Sequence, residues 1–261
     1  MATRLYLAAS GAAPLTTLPL AGPAWGVTGD LVRLPMYSSP SGTALATRTL
    51  AWAAGTTANW VWWQFQSPPI SRPSLLGGTN RLIIGQCAET TTNGDTSLLY
   101  HLWLASPSGE NKGVLSSMFV GGTEFPLVAS AATRSRGPLT TTPTPADAGD
   151  RVILEVGVSG TTPAIENIQM RIGDPTAIAD FAFTEDLTTD LLPWLEFSGE
   201  IEFGDAYYDF LFVNSVAGGT ALNVRPVQSS ADVALTVGAG QIIPIKSRLK
   251  SSLAAAVGLL P

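Results

Sequence analysis

The sequence predicts an all-β protein. It reads as an antiparallel, jelly-roll-like β-sandwich over residues 59–204, with an extended N-terminal arm (1–58) before it and a small C-terminal β-element (205–261) after it. Three observations carry this. Apolar and polar residues alternate with a period of two in several runs, turn signals separate those runs at short intervals, and no segment has a long apolar stripe at helical spacing. At 261 residues the chain is long enough to bury a sizeable core.

The first 58 residues are rich in Ala, Gly, Pro and Thr, carry Trp25 and Trp52, and show little periodicity. Pro14, Pro19, Pro23, Pro35 and Pro40 punctuate them. Such a stretch is too apolar for a solvated linker, so it is expected to lie extended against its own sandwich or a neighbouring subunit. The opening "MATRLYLAASGAAPL" holds one Arg and a weak apolar run that Pro14 and Pro19 break, which reads as a retained segment rather than a secretory leader.

The sandwich begins at "WVWWQFQSPPIS" (60–71), where strict alternation would put Trp60, Trp62 and Gln64 on one face and Val61, Trp63 and Phe65 on the other. In "SLLYHLWLA" (97–105), Leu98, Tyr100, Leu102 and Leu104 share a face opposite Leu99, His101 and Trp103. Val152, Leu154, Val156 and Val158 share one in "DRVILEVGV" (150–158). "WLEFSGEIEF" (194–203) places Leu195, Phe197, Ile201 and Phe203 against Trp194, Glu196, Glu200 and Glu202. Between the runs lie "TTNGD" (91–95), "SPSGE" (106–110), "TTPTPADAGD" (141–150, with Asp150 placed to close the turn) and "SGTTP" (159–163). Beyond residue 204, "ALNVRPV", "ADVALTV" and "GQIIPIKSRL" are short strand candidates, Pro244 confines the last to an edge or bulge, and "SSLAAAVGLL" fits a final strand or short helix.

Composition narrows the function. Charged residues make up only 13 % of the chain, and the polar complement comes from 28 Thr and 22 Ser. A hydroxyl-rich surface with few long charged side chains suits packing against other subunits. A net charge of −6 argues against nucleic-acid binding, and the closing apolar stretch is too short to span a bilayer. With one His (His101) and one Cys (Cys87), neither a zinc site nor a disulfide framework is expected. There is no nucleophile elbow, P-loop or dinucleotide fingerprint, so no enzyme of those classes and no cofactor is expected.

Two kinds of site stay open. Asp174 to Asp209 hold ten acidic residues and no Lys or Arg. Loop carboxylates in "IGDPTAIADF" or "TEDLTTD" could hold calcium, Glu196, Glu200 or Glu202 could form a glycosidase pair, and solvated acidic loops are the plainer reading of both. The aromatic set Trp60, Trp62, Trp63 and Phe65 could serve as a subunit interface or as a platform for sugar rings, and the plainer reading is a core strand whose second face the arm or a neighbour covers.

A family resemblance bears on the choice. "MATRLYL", "WWQFQSPPI", "AGDRVILEVGV" and "MRIGDP…AD" leading to "PWLEFS" are similar, in this order, to a family of tailed-bacteriophage virion proteins, and "GAGQIIPIKSRL…AAAVGLL" resembles the closing strands of phage decoration and tail-associated β-domains. The resemblance implies a non-enzymatic jelly-roll-like subunit of the virion, a capsid decoration (cement) or tail-associated protein. Its partners would be the major capsid or tail subunits and further copies of itself, for example a trimer. The alternative it leaves is a carbohydrate-binding receptor module of a tail fibre, with surface glycan as ligand.

Overall fold

The structure is a computed structural model that describes residues 2–204, apart from 23–24, 27–30, 41–42, 53–56, 91–94, 119–121, 162–165 and 175–178, together with four short strands beyond. In the first part of the chain these strands are β1 (Thr3–Leu7), β2 (Val32–Tyr37), β3 (Thr43–Trp52), β4 (Thr57–Gln66), β5 (Ser74–Leu76), β6 (Thr79–Glu89), β7 (Ser97–Ala105) and β8 (Asn111–Met118). There follow β9 (Ala132–Thr140), β10 (Thr144–Ala146), β11 (Arg151–Thr161), β12 (Glu166–Asp174) and β13 (Trp194–Phe197). Among the described residues the helical structure is a single 3-10 turn at Val128–Ser130.

One 11-stranded sheet dominates, in the order β3-β12-β6-β13-β1-β2-β4-β11-β7-β8, with β9 on β6. It folds over at the short β1–β2 pairing, where Tyr6 meets Tyr37 and Leu7 meets Met36. The two halves then face each other. Although β6 and β7 are far apart in the hydrogen-bonding order, Tyr100 Oη donates to Asn80 Oδ1 at 2.7 Å, and the Ser116 hydroxyl donates to the same atom at 3.2 Å. Arg136 of β9 donates through Nε to the Leu98 carbonyl at 2.6 Å. The fold is therefore the expected sandwich.

The core between the halves is made of the faces that the period-two pattern picks out. Leu98, Tyr100, Leu102 and Leu104 meet Val152, Leu154, Val156 and Val158, and across from them lie Leu82, Ile84, Ile168, Met170, Leu195 and Phe197. Burying each such side chain favours folding by roughly 1.5–3 kcal/mol. "SPSGE" turns β7 into β8, with Gly109 at φ 90° donating to the Ser106 carbonyl. Asp150 closes its own turn by accepting from the Asp147 N–H at 2.7 Å, and Lys112 reaches the same carboxylate oxygen at 2.5 Å.

Three features differ from the sequence expectation. The β2–β4 pairing is parallel, because the chain reverses twice through β3 in the other half and returns beside β2 in the same direction. Residues 1–58 supply three strands of the sheet, β1, β2 and β3, in addition to a segment that lies across it. The run 194–203 stops being a strand at Phe197, where Ser198 and Gly199 bend the chain, so Glu196, Glu200 and Glu202 do not share one strand. Beyond residue 204, β14 (Tyr207–Phe210) pairs with β17 (Ser247–Lys250) and β15 (Ala221–Val224) with β16 (Val233–Thr236). Ile243, Pro244, Ile245 and the whole of 251–260 lie outside the described residues, as does most of the "TTNGD" turn.

Candidate functional site

The aromatic cluster is built around a β-bulge. In the β4–β11 ladder Trp63 opposes Val156, but the next pair is Val61 with Gly157, so Trp62 is an extra residue on β4. One inserted residue reverses the alternation on one side of it. Trp62 joins Trp63 and Phe65 in the core, with Trp60 packed against them. Trp62 and Trp63 meet edge-on with centroids 5.9 Å apart. Exposures of 4, 1 and 0 % for Trp62, Trp63 and Phe65 leave no ring face for a sugar, and Trp60 is half-buried. The two aromatic faces expected from strict alternation are thus one face. Gly157 permits this, since a Cβ there would stand 1.9 Å from the Trp60 carbonyl oxygen. A glycine inside an otherwise apolar strand was the available signal.

The other side of this half-sheet is polar and covered. Gln64, Gln66, Arg33 and Glu155 project from β4, β2 and β11 beneath residues 15–22 and Trp25, which lie across them. Glu155 is 0 % exposed and is the hub. Its Oε1 accepts from the Ala21 N–H (2.8 Å), Trp103 Nε1 (3.0 Å) and Gln64 Nε2 (3.3 Å), and its Oε2 from the Gly22 N–H (3.0 Å) and Trp25 Nε1 (2.7 Å). A carboxylate can be buried only when its lone pairs are satisfied in this way. Leu18 closes the apolar part of the contact on Trp103, Ala105 and Ile153.

The opposite outer face is roofed by residues 180–192, which bury Phe181 against Ile83 and Trp194. Here the acidic stretch meets its partners. Glu196 takes Arg4 (2.6 Å) and Arg81 (2.6 Å), Asp190 takes Arg171 (2.7 Å), and Asp186 takes Arg134 (3.0 Å). Asp180 pairs with Arg4, and Glu202 with Arg72. Arg4 also lies 3.9 Å from the Trp194 ring centroid. Burial works against the charge on Arg4, yet its bonds to Glu196 and Asp180 outweigh this and raise its pKa. These carboxylates are tied to arginines and gather no group of three or more metal-binding side chains among the described residues. Part of the "IGDPTAIADF" loop, residues 175–178, lies outside those residues.

His101 and Cys87 are both buried. The Cys87 thiol is pushed up by burial and so is not a reactive thiolate. His101 Nδ1 shares a 2.5 Å hydrogen bond with the Ser117 hydroxyl on β8, and its cross-strand neighbour on β11 is Glu155. Burial lowers the His101 pKa, against the opposing pull of Glu155. The unfolded chain therefore takes the proton first as pH falls below about 6.5. Stability present above that value is lost below it. A thermal unfolding series from pH 7.5 to 5.5 should show a falling midpoint, and His101→Gln should flatten the slope. An unchanged slope in the variant would rule out this group as the cause.

The geometry thus defines a class, an all-β sandwich whose two outer faces are roofed by its own chain. No family model matches the chain, and no curated protein matches it in sequence. Among solved structures, the chain is similar to one in the structure of the infectious bursal disease virus Gx strain, with 9 % identity and a TM-score of 0.18. The alignment covers 75 % of this chain and 55 % of that one, so this chain spans about half the length of its structural neighbour.

Proposed function

We propose that the protein is a non-enzymatic structural subunit of a bacteriophage particle, of the capsid-decoration or tail-associated kind, that binds neighbouring virion proteins and further copies of itself. The observation that carries this reading is the surface. Leu75 (68 %), Val128 (50 %), Val114 (40 %), Leu127 and Val32 (38 % each) are exposed on a chain with only 13 % charged residues. With both sheet faces roofed, contacts to neighbours fall on strand rims and connections, where these side chains stand. Apolar and hydroxyl groups at a rim can be buried without the desolvation cost of charge. The similarity of the quoted segments to tailed-phage virion proteins supports the same reading. A carbohydrate-binding module is the weaker alternative, since Trp62, Trp63 and Phe65 lie in the core.

The test is incorporation. The chain should co-purify with particles at a fixed stoichiometry by quantitative mass spectrometry. Leu75→Asp with Val128→Asp should reduce incorporation while leaving the thermal midpoint of the isolated protein unchanged. Absence from particles, or full incorporation of the double variant, would overturn the proposal.

A further inference from the structure

Arg134 and Arg136 stand two residues apart on β9 and are almost equally buried, at 4 and 8 % exposure, but only the first meets a carboxylate. Arg134 donates through Nε to the Glu124 carbonyl (2.8 Å) and through Nη1 to the Thr133 carbonyl (2.8 Å) and Asp186 (3.0 Å). Arg4, Arg72, Arg81 and Arg171 end on carboxylates as well. Arg136 donates through Nε to the Leu98 carbonyl at 2.6 Å, while its Nη2, closed to water, meets no acceptor. A buried donor on a charged group is costly when no acceptor reaches it. Burial pushes the Arg136 guanidinium below its ordinary pKa, and the charge of Glu185 offsets this only in part. Glu185 makes no ion pair with Arg136, and its Oε1 accepts instead from the Ser135 N–H and hydroxyl at 3.2 Å each.

Arg136 lines a pocket of about 290 Å³ whose walls also include Gly122, Ser135, Gly137 and Glu185. Gly122 lies on the flat face of the guanidinium, where a Cβ would stand 2.0 Å from Cζ and 2.1 Å from both terminal nitrogens. We infer that this is a carboxylate-binding pocket, with Arg136 as its anchor and Glu185 restricting it to ligands of a single negative charge. A carboxylate is planar and offers two oxygens at the spacing of the guanidinium fork, so one ligand supplies acceptors to both terminal nitrogens. Because Nη2 is shut off from water, the incoming carboxylate displaces Gly122, whose lack of a side chain is what lets it lie on the guanidinium. Glu185 repels a second negative charge, which disfavours sulfate or phosphate. The volume suits a small acid or the end of an Asp or Glu side chain. The carboxylate is that of a free acid or of an acidic side chain on a neighbouring subunit, and only the second source rests on the assembly reading.

Titrating the full-length chain, carrying isotope-labelled arginine, with sodium acetate at constant ionic strength tests the pocket by NMR. The Arg136 side-chain resonances should shift and saturate, with acetamide and sulfate at least ~10-fold weaker. Glu185→Gln keeps an oxygen for Ser135 and removes the neighbouring like charge, so it should bind acetate about 3–10-fold tighter. A response that does not saturate, or one that acetamide or sodium chloride reproduces, would overturn the pocket. So would acetate binding that Glu185→Gln leaves unchanged or weakens. Particle assembly separates the two sources. Saturating acetate present during assembly should lower wild-type incorporation where a neighbour's carboxylate is the occupant, and leave it unchanged where a free acid is. A wild-type chain absent from particles even without acetate would overturn the assembly reading alone and assign the pocket to a free acid.

Discussion

Replacing Glu155 by alanine is expected to destabilise the protein by on the order of 4 kcal/mol. Removing the carboxylate strands two backbone N–H groups, two indole N–H groups and a glutamine amide in a site that is 0 % exposed. Each buried donor left without an acceptor costs roughly 1–3 kcal/mol, partly relieved if residues 15–25 lift into water. For a chain of this size each kcal/mol moves the thermal midpoint by about 2–4 °C. Differential scanning fluorimetry should therefore show a fall on the order of 10 °C, accompanied by proteolysis confined to residues 15–25. Glu155→Gln should fall between, since its amide keeps one acceptor and turns an NH₂ group towards donors. If Glu155→Ala leaves both midpoint and proteolysis unchanged, the hub does not hold the roof.

The second large effect is expected at Trp63. Trp63→Ala empties a site that is 1 % exposed, between Trp62 and Phe65, and should cost about 3–5 kcal/mol. Trp60→Ala, on a half-buried side chain at the margin of the same cluster, should cost less. Urea denaturation of the two variants checks the order. A residue serving only as a ligand platform would do the reverse, losing glycan-array binding with its midpoint intact, and that result at Trp63 would contradict its placement in the core.

The parts of this fold that could be read from the sequence are those fixed by local alternation. The faces of 97–105 and 150–158 followed from period two alone, as did Leu195 and Phe197, because each strand is regular and one of its faces meets the core. The bulge at Trp62 could not be read from alternation, since a one-residue slip leaves both flanking patterns intact; Gly157 hints at an irregularity, but which residue is inserted depends on the register with β11. Strict alternation therefore divided one aromatic face into two. Nor could the partners of the acidic stretch be read. Arg4 lies 192 residues from Glu196, and only the β1–β13 ladder brings them together. Gln64, Gln66 and Glu155 interrupt otherwise apolar strands, on the side away from Phe65, Leu154 and Val156. That they are buried depends on residues 15–25, whose sequence carries no periodicity to announce where they dock.

The β1–β13 ladder has a consequence for biosynthesis. Thr3 pairs with Phe197 and Tyr6 with Trp194, so the first strand to leave the ribosome waits for nearly the last strand of the sandwich. At about 5–20 residues per second that interval is roughly 10–40 s. Throughout it β1 has β2 beside it but lacks β13, and the two halves of the sheet, joined through β1 and β2, have no complete seam about which to close. The domain should become native only after release of most of its length, and nascent chains truncated before residue 194 should remain open to protease.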